Sequence, residues 1–120
     1  MLTVDDDRDS LDLIKTILVN AGAEVRVSAS AAEALMIVQD WRPHVLISDI
    51  EMPGEDGYAL IQKVRSLDAG RGGEVPAVAL TAYGGAADRH RATSAGFNVH
   101  VPKPADPTEL VTIVASLAGR

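Results

Sequence analysis

Val45-Leu46-Ile47-Ser48-Asp49-Ile50-Glu51-Met52-Pro53-Gly54-Glu55-Asp56-Gly57 is the stretch on which the fold is decided. Four apolar or small residues lead to a carboxylate, Asp49, in a run that reads as a strand buried on both faces, and Pro53-Gly54 then breaks the chain. In open α/β sheets ligands gather outside the carboxyl ends of the strands, which makes an acid here a candidate for chemistry. A lone Asp also suits a turn cap, so its partners decide.

Upstream, Leu2-Thr3-Val4 is a short apolar run that stops at Asp5-Asp6-Asp7. Its abrupt start suggests a piece cut from a longer chain. From Ser10 to Ala21, the residues Leu11, Ile14, Leu18 and Ala21 recur at helical spacing, with Leu13 and Ile17 alongside and Gly22 as the stop. Val25 and Val27 flank Arg26 in a second strand. Ser30-Ala31-Ala32-Glu33 is a capping box opening a helix with Ala34, Leu35, Val38 and Trp41 inward, which Pro43 ends.

Downstream, Asp56 caps a helix carrying Leu60, Ile61, Val64 and Leu67. Asp68 to Glu74, with three glycines, reads as a mobile surface loop and lacks a phosphate-binding glycine pattern. Ala77-Val78-Ala79-Leu80 is a fourth strand ending at Thr81. The helix from Ala86 to Ala95 offers only small residues such as Ala87, Ala92 and Ala95 for burial, so it is expected to be the most weakly anchored. Phe97 to Val101 is the last strand, followed by Pro102-Lys103-Pro104. Asp106-Pro107-Thr108-Glu109 opens the final helix, with Leu110, Ile113, Val114 and Leu117 inward.

One hundred and twenty residues make one domain, spanning 1–120, with a core that must be aliphatic because the chain has one Phe, one Trp and two Tyr. It has no cysteine, which excludes disulfides and thiolate metal sites. A net charge of −6 disfavours contact with nucleic acid. No apolar run approaches membrane-spanning length, so no membrane contact and a cytoplasmic location are expected.

Strand and helix patterns alternate five times, which implies α/β architecture: a doubly wound five-stranded parallel sheet, order 2-1-3-4-5, with five helices on both faces. Strand one then ends at Asp5 and Asp6, strand three at Asp49, strand four at Thr81, and strand five just before Lys103, all on one edge. Two like charges 4 Å apart repel by about 4 kcal/mol at an effective dielectric near 20, so such a cluster calls for a cation or a proton. Oxygen ligands suit Mg²⁺, with Mn²⁺ as substitute. Lys103 and Thr81 complete a pocket for an anionic group beside a carboxylate nucleophile, a phosphoryl-transfer site.

Val4-Asp5-Asp6-Asp7, Leu46 to Gly54 with Asp56-Gly57, Leu80-Thr81-Ala82 and Lys103-Pro104 together resemble the motif set of response-regulator receiver domains, over essentially the whole chain. The resemblance implies a flavodoxin-like fold and Asp49 as phosphoacceptor from the phosphohistidine of a histidine kinase or histidine phosphotransfer protein. It implies Mg²⁺ held by Asp5, Asp6, Asp49 and the Glu51 backbone carbonyl, phosphoryl oxygens held by Thr81 and Lys103, and a cis Lys103–Pro104 bond. Gly54-Glu55-Asp56-Gly57-Tyr58 and Pro102 to Pro107 are similar to receivers at the C-terminus of hybrid sensor histidine kinases. The parent chain would then be a kinase, and the isolated domain an autocatalytic phosphoacceptor rather than an enzyme.

Receivers usually carry Tyr or Phe where this chain has His100, which leaves His100 and Tyr83 as candidates for the switch. An exposed strand-edge histidine is the simpler alternative, and His44 and His90 read as surface residues. By resemblance Glu51 and Tyr83 stand where phosphoryl lifetime is tuned, and the last helices and strand allow a weak homodimer. The rivals are a phosphatase of the haloacid-dehalogenase type, using Asp5 and the Asp5–Asp7 pair, and a pseudo-receiver acting by contact alone. A flavin module of the same fold is disfavoured by acids where a phosphate would sit.

Overall fold

Runs of three to five strand residues alternate with helices along the chain, and the computed structural model, which describes residues 1–82 and 86–119 without the side chains of Ala86 and Ala87, resolves them into layered pairs. Among the described residues these are β1 (Leu2–Val4), α1 (Arg8–Asn20), β2 (Arg26–Ser28), α2 (Ala31–Trp41), β3 (Leu46–Asp49), α3 (Gly57–Arg65), β4 (Ala77–Thr81), α4 (Ala86–Ala95), β5 (Val99–Pro102) and α5 (Pro107–Leu117). A 3-10 turn at Ala69–Arg71 lies between α3 and β4. All strand pairs are parallel, in the order β2-β1-β3-β4-β5, so the doubly wound sheet expected from the sequence is the one formed.

Side chains alternate across a strand, so each strand feeds two separate cores. Leu2, Val4, Leu46, Ala77 and Ala79 pack with Ala34 and Val38 of α2, Leu60, Ile61 and Val64 of α3, and Ala92 of α4. Ile47, Val78, Leu80 and Val101 pack on the other face against Ile14 and Leu18 of α1 and Leu110 and Val114 of α5. Burial of this aliphatic surface on both faces, at about 25 cal/mol per Å², is the main force fixing the strand ends on one edge.

Local chemistry starts the helices where the sequence says. Ser30, Asp56 and Asp106 accept hydrogen bonds from the backbone N–H groups of Glu33 (3.3 Å), Ala59 (2.9 Å) and Glu109 (3.0 Å). Asp7, read only as part of an acidic triplet, caps α1 by accepting from Asp9 N–H at 3.0 Å, which moves the helix start from Ser10 back to Arg8. Leu13 and Ala21 lie outside the inner face of α1, with Leu13 55% exposed. β5 begins at Val99 rather than Phe97, because Asn98 turns its side chain back and accepts Ala77 N–H at 2.8 Å.

The segment from Asp68 to Glu74, expected as a surface loop, lies largely at the surface and contains a hydrogen-bonded 3-10 turn. The Asp68 carbonyl accepts from Arg71 N–H (2.8 Å) and Gly73 N–H (3.1 Å), and the Gly72 carbonyl from Val75 N–H (3.1 Å). The half-buried Arg65 guanidinium donates to the carbonyls of Gly73 and Gly96, both at 3.0 Å, and to Asn98 Oδ1 at 3.2 Å, tying this turn to the start of β5. A Cβ on Gly73 would stand 2.0 Å from the Leu67 carbonyl oxygen, whereas one on Gly70 meets nothing within 4 Å. Gly73→Ala is therefore expected to cost about 2 kcal/mol or more and Gly70→Ala less than about 0.5 kcal/mol, read from urea midpoints. Equal effects would mean that the turn yields as a loose loop does.

Candidate functional site

At the carboxyl edge of the sheet, β1 and β3 are neighbours, and each hands an acid to the same spot. Asp5 follows β1, held in line by Asp5 N–H to the Ser28 carbonyl at 3.1 Å, and is 2% exposed. Asp49 ends β3 and is 4% exposed. The chain then turns sharply, with Gly57 N–H donating to the Ile50 carbonyl at 2.9 Å. A Cβ on Gly57 would lie 2.5 Å from the Asp49 carbonyl oxygen, so only glycine lets α3 start this close to the strand end.

Lys103 comes from the far side of the sheet. Its backbone N–H donates to the Thr81 carbonyl at 2.7 Å, which fastens the end of β5 to β4. Its Nζ then reaches Asp5 Oδ2 at 2.9 Å and Asp49 Oδ1 at 3.2 Å. The Lys103–Pro104 peptide bond is cis. Asp5 Oδ1 accepts Asp7 N–H at 2.9 Å, so both oxygens of this buried carboxylate are satisfied.

Asp6 is exposed, and one oxygen from each of Asp5, Asp6 and Asp49 lies within 4.8 Å of the others. Three oxygen donors with one open to water fit a hard divalent cation that keeps part of its hydration. Burial, followed by the charge of Asp5, pushes the Asp49 carboxyl up to about 6, against the pull of Lys103. Burial drags the Lys103 ammonium down, but the hydrogen bond to Asp5 and the charges of both acids outweigh it and leave the net shift upward.

Thr81 is buried at the end of β4, and its Oγ1 donates to Glu51 Oε1 at 3.3 Å. Ala82 N–H donates to the same oxygen at 3.3 Å. The one sequence cue to this link is that Glu51 stands two residues past Asp49, in the loop after β3. His100 is half-buried on β5, in register with Ala79, and so shares the sheet face covered by α4. His44 and His90 are exposed, and Tyr83 and the Ala87 side chain lie outside the described residues. No helix among the described residues is long and apolar enough to cross a membrane.

The family model for response regulator receiver domains matches residues 1–115. The chain belongs to the response regulator receiver family of two-component systems. An uncharacterised 14.6 kDa protein of Leptolyngbya boryana is 45% identical over 95% of this chain and 86% of its own length. A Chloroflexus aurantiacus protein assigned as a response regulator superposes with TM-score 0.91 at 37% identity, covering 99% of this receiver and 96% of that chain. The receiver domain of the sensor histidine kinase PA1611 of Pseudomonas aeruginosa PAO1, solved with a magnesium ion in its active site cleft, gives 0.89 at 28% identity and covers 99% and 96%. This receiver spans about half the length of other curated relatives (56%, 52% and 48%), which are named as response or transcriptional regulators.

The raised Asp49 pKa has a sign that can be measured. A carboxyl that titrates at about 6 folded and 3.8 unfolded favours the fold while protonated, below the unfolded value, and loses that contribution as pH rises through the folded one. In metal-free protein Asp49→Asn is therefore expected to stabilise the receiver above pH 6 by up to about 3 kcal/mol, with the gain vanishing toward pH 4. Urea titrations across that range check it.

Proposed function

We propose that this receiver domain takes a phosphoryl group from a phosphohistidine onto Asp49. The observation that carries the proposal is the Lys103 ammonium shared by Asp5 and Asp49, at 2.9 and 3.2 Å, beside a third carboxylate. An Asp49 Oδ attacks phosphorus, an O–P bond forms, and the P–N bond breaks with its electron pair returning to the imidazole. Most of what the protein contributes is position and charge neutralisation. Lys103 can pass from Asp49 to a phosphoryl oxygen without leaving Asp5. The Thr81 hydroxyl stands on the neighbouring strand end to donate to another.

Asp5, Asp6, Asp49 and the Glu51 carbonyl are the groups that would hold Mg²⁺. The ion would supply positive charge against the carboxylates and the transferring phosphoryl group. The partner is a histidine kinase or a histidine phosphotransfer protein. Other curated relatives are named as response or transcriptional regulators, so a hybrid-kinase setting rests on the sequence resemblance and on the Pseudomonas neighbour.

The roles of Asp7 and Asp106 weigh against the phosphatase alternative. Asp7 is held as the α1 cap, accepting from Asp9 N–H and Ser10 Oγ, and Asp106 as the α5 cap. With acetyl phosphate and Mg²⁺, one label is expected on Asp49 and none in Asp49→Ala, read by mass spectrometry. Lys103→Ala should still bind Mg²⁺ by calorimetry while labelling falls at least about tenfold, the scale of a lost charge-assisted contact. A label on Asp5 would favour the phosphatase instead.

A further inference from the structure

Glu51 does not add its side chain to the carboxylate cluster. Its Oε1 accepts from the Thr81 hydroxyl and the Ala82 N–H, both at 3.3 Å. A hydroxyl and a backbone N–H converging on one anionic oxygen is the arrangement that holds an oxyanion. These donors follow Leu80, which is in register with Asp49 on the neighbouring strand, and Thr81 lines one cleft with Ile50 and Glu51. We infer that the Glu51 carboxylate is an internal competitor for the phosphoryl group, occupying its oxygen-binding donors until the group displaces it.

The inference rests on Asp49 being the phosphoacceptor and adds what the unmodified site contains. Both distances exceed those typical of charge-assisted bonds, about 2.5–2.7 Å from a hydroxyl and about 2.7–2.9 Å from an N–H, and Glu51 is exposed, so the lock is weak and reversible. A place for the expelled side chain adjoins it. Glu51, Met52, Tyr58, Asp88 and Arg91 line an open cleft of about 570 Å³. There the Arg91 guanidinium lies 4.1 Å from the centre of the Tyr58 ring and is the cation among the cleft's lining residues. Displacement would break the tie between the β3–α3 loop and β4 and bring a carboxylate toward α4, so occupancy of Asp49 would be felt at that helix.

The test is beryllofluoride affinity with saturating Mg²⁺, using a set that separates reach from charge. Glu51→Asp keeps the charge but is one methylene too short to satisfy both donors; Glu51→Ala removes both. Competition predicts that each variant binds beryllofluoride about three- to tenfold more tightly, the scale of one or two weak hydrogen bonds to a charged group. Glu55→Gln, which removes a charge paired with Lys63, should bind as the wild type does. In the ligand-free protein the Ala82 amide resonance should move in Glu51→Asp. Wild-type affinity in Glu51→Asp, with tighter binding only in Glu51→Ala, would reduce the effect to a general field and overturn the competition. A wild-type protein that ignores beryllofluoride, or an Asp49→Ala protein that binds it, would instead overturn the phosphoacceptor assignment, and this inference with it.

Discussion

One ammonium group, Lys103 Nζ, sits between two buried carboxylates that belong to neighbouring strands, and the remaining features of the site depend on it. Asp5 and Asp49 are brought together by the sheet, against their mutual repulsion, because the apolar residues before them are buried on both faces. Lys103 relieves that repulsion in part. Its own position is set by β5, whose end is fastened to β4 through the Thr81 carbonyl. The electrostatics of the site are therefore supported by three strands at once.

The same edge shows why the chain needs glycine and acid where it has them. Gly57 lets α3 begin against the back of Asp49, placing its first turn close behind the end of β3. Asp7 ends the acidic run by capping α1, which leaves Asp5 facing inward and Asp6 facing water. Glu51 is neither cap nor cluster member, and its hold on Thr81 and Ala82 joins the loop after β3 to the end of β4.

Much of this was legible in the sequence, for a local reason. Short aliphatic runs, the caps at Ser30, Asp56 and Asp106, and acids at successive strand ends are written in consecutive residues, and parallel βα units admit few topologies. From that topology the meeting of Asp5, Asp6 and Asp49 with Lys103 follows. What escaped depends on distant contacts. Three glycines look alike in an open loop and in a tight turn; the stretch after Asp68 is the latter through its own backbone hydrogen bonds and through Arg65, which reaches back from α3. The direction of the Glu51 side chain is likewise decided by β4, thirty residues on. The Asp7 cap was obscured by its acidic neighbours.

The most direct measurement of the central electrostatic constraint is the ¹³C NMR titration of the Asp49 carboxyl, with and without Mg²⁺. In metal-free protein the carboxyl should titrate near 6, and saturating Mg²⁺ should carry it down into the ordinary carboxylate range. A carboxyl that titrates near 3.8 and does not respond to Mg²⁺ would mean that Asp49 neither shares a buried site with Asp5 nor faces a cation there.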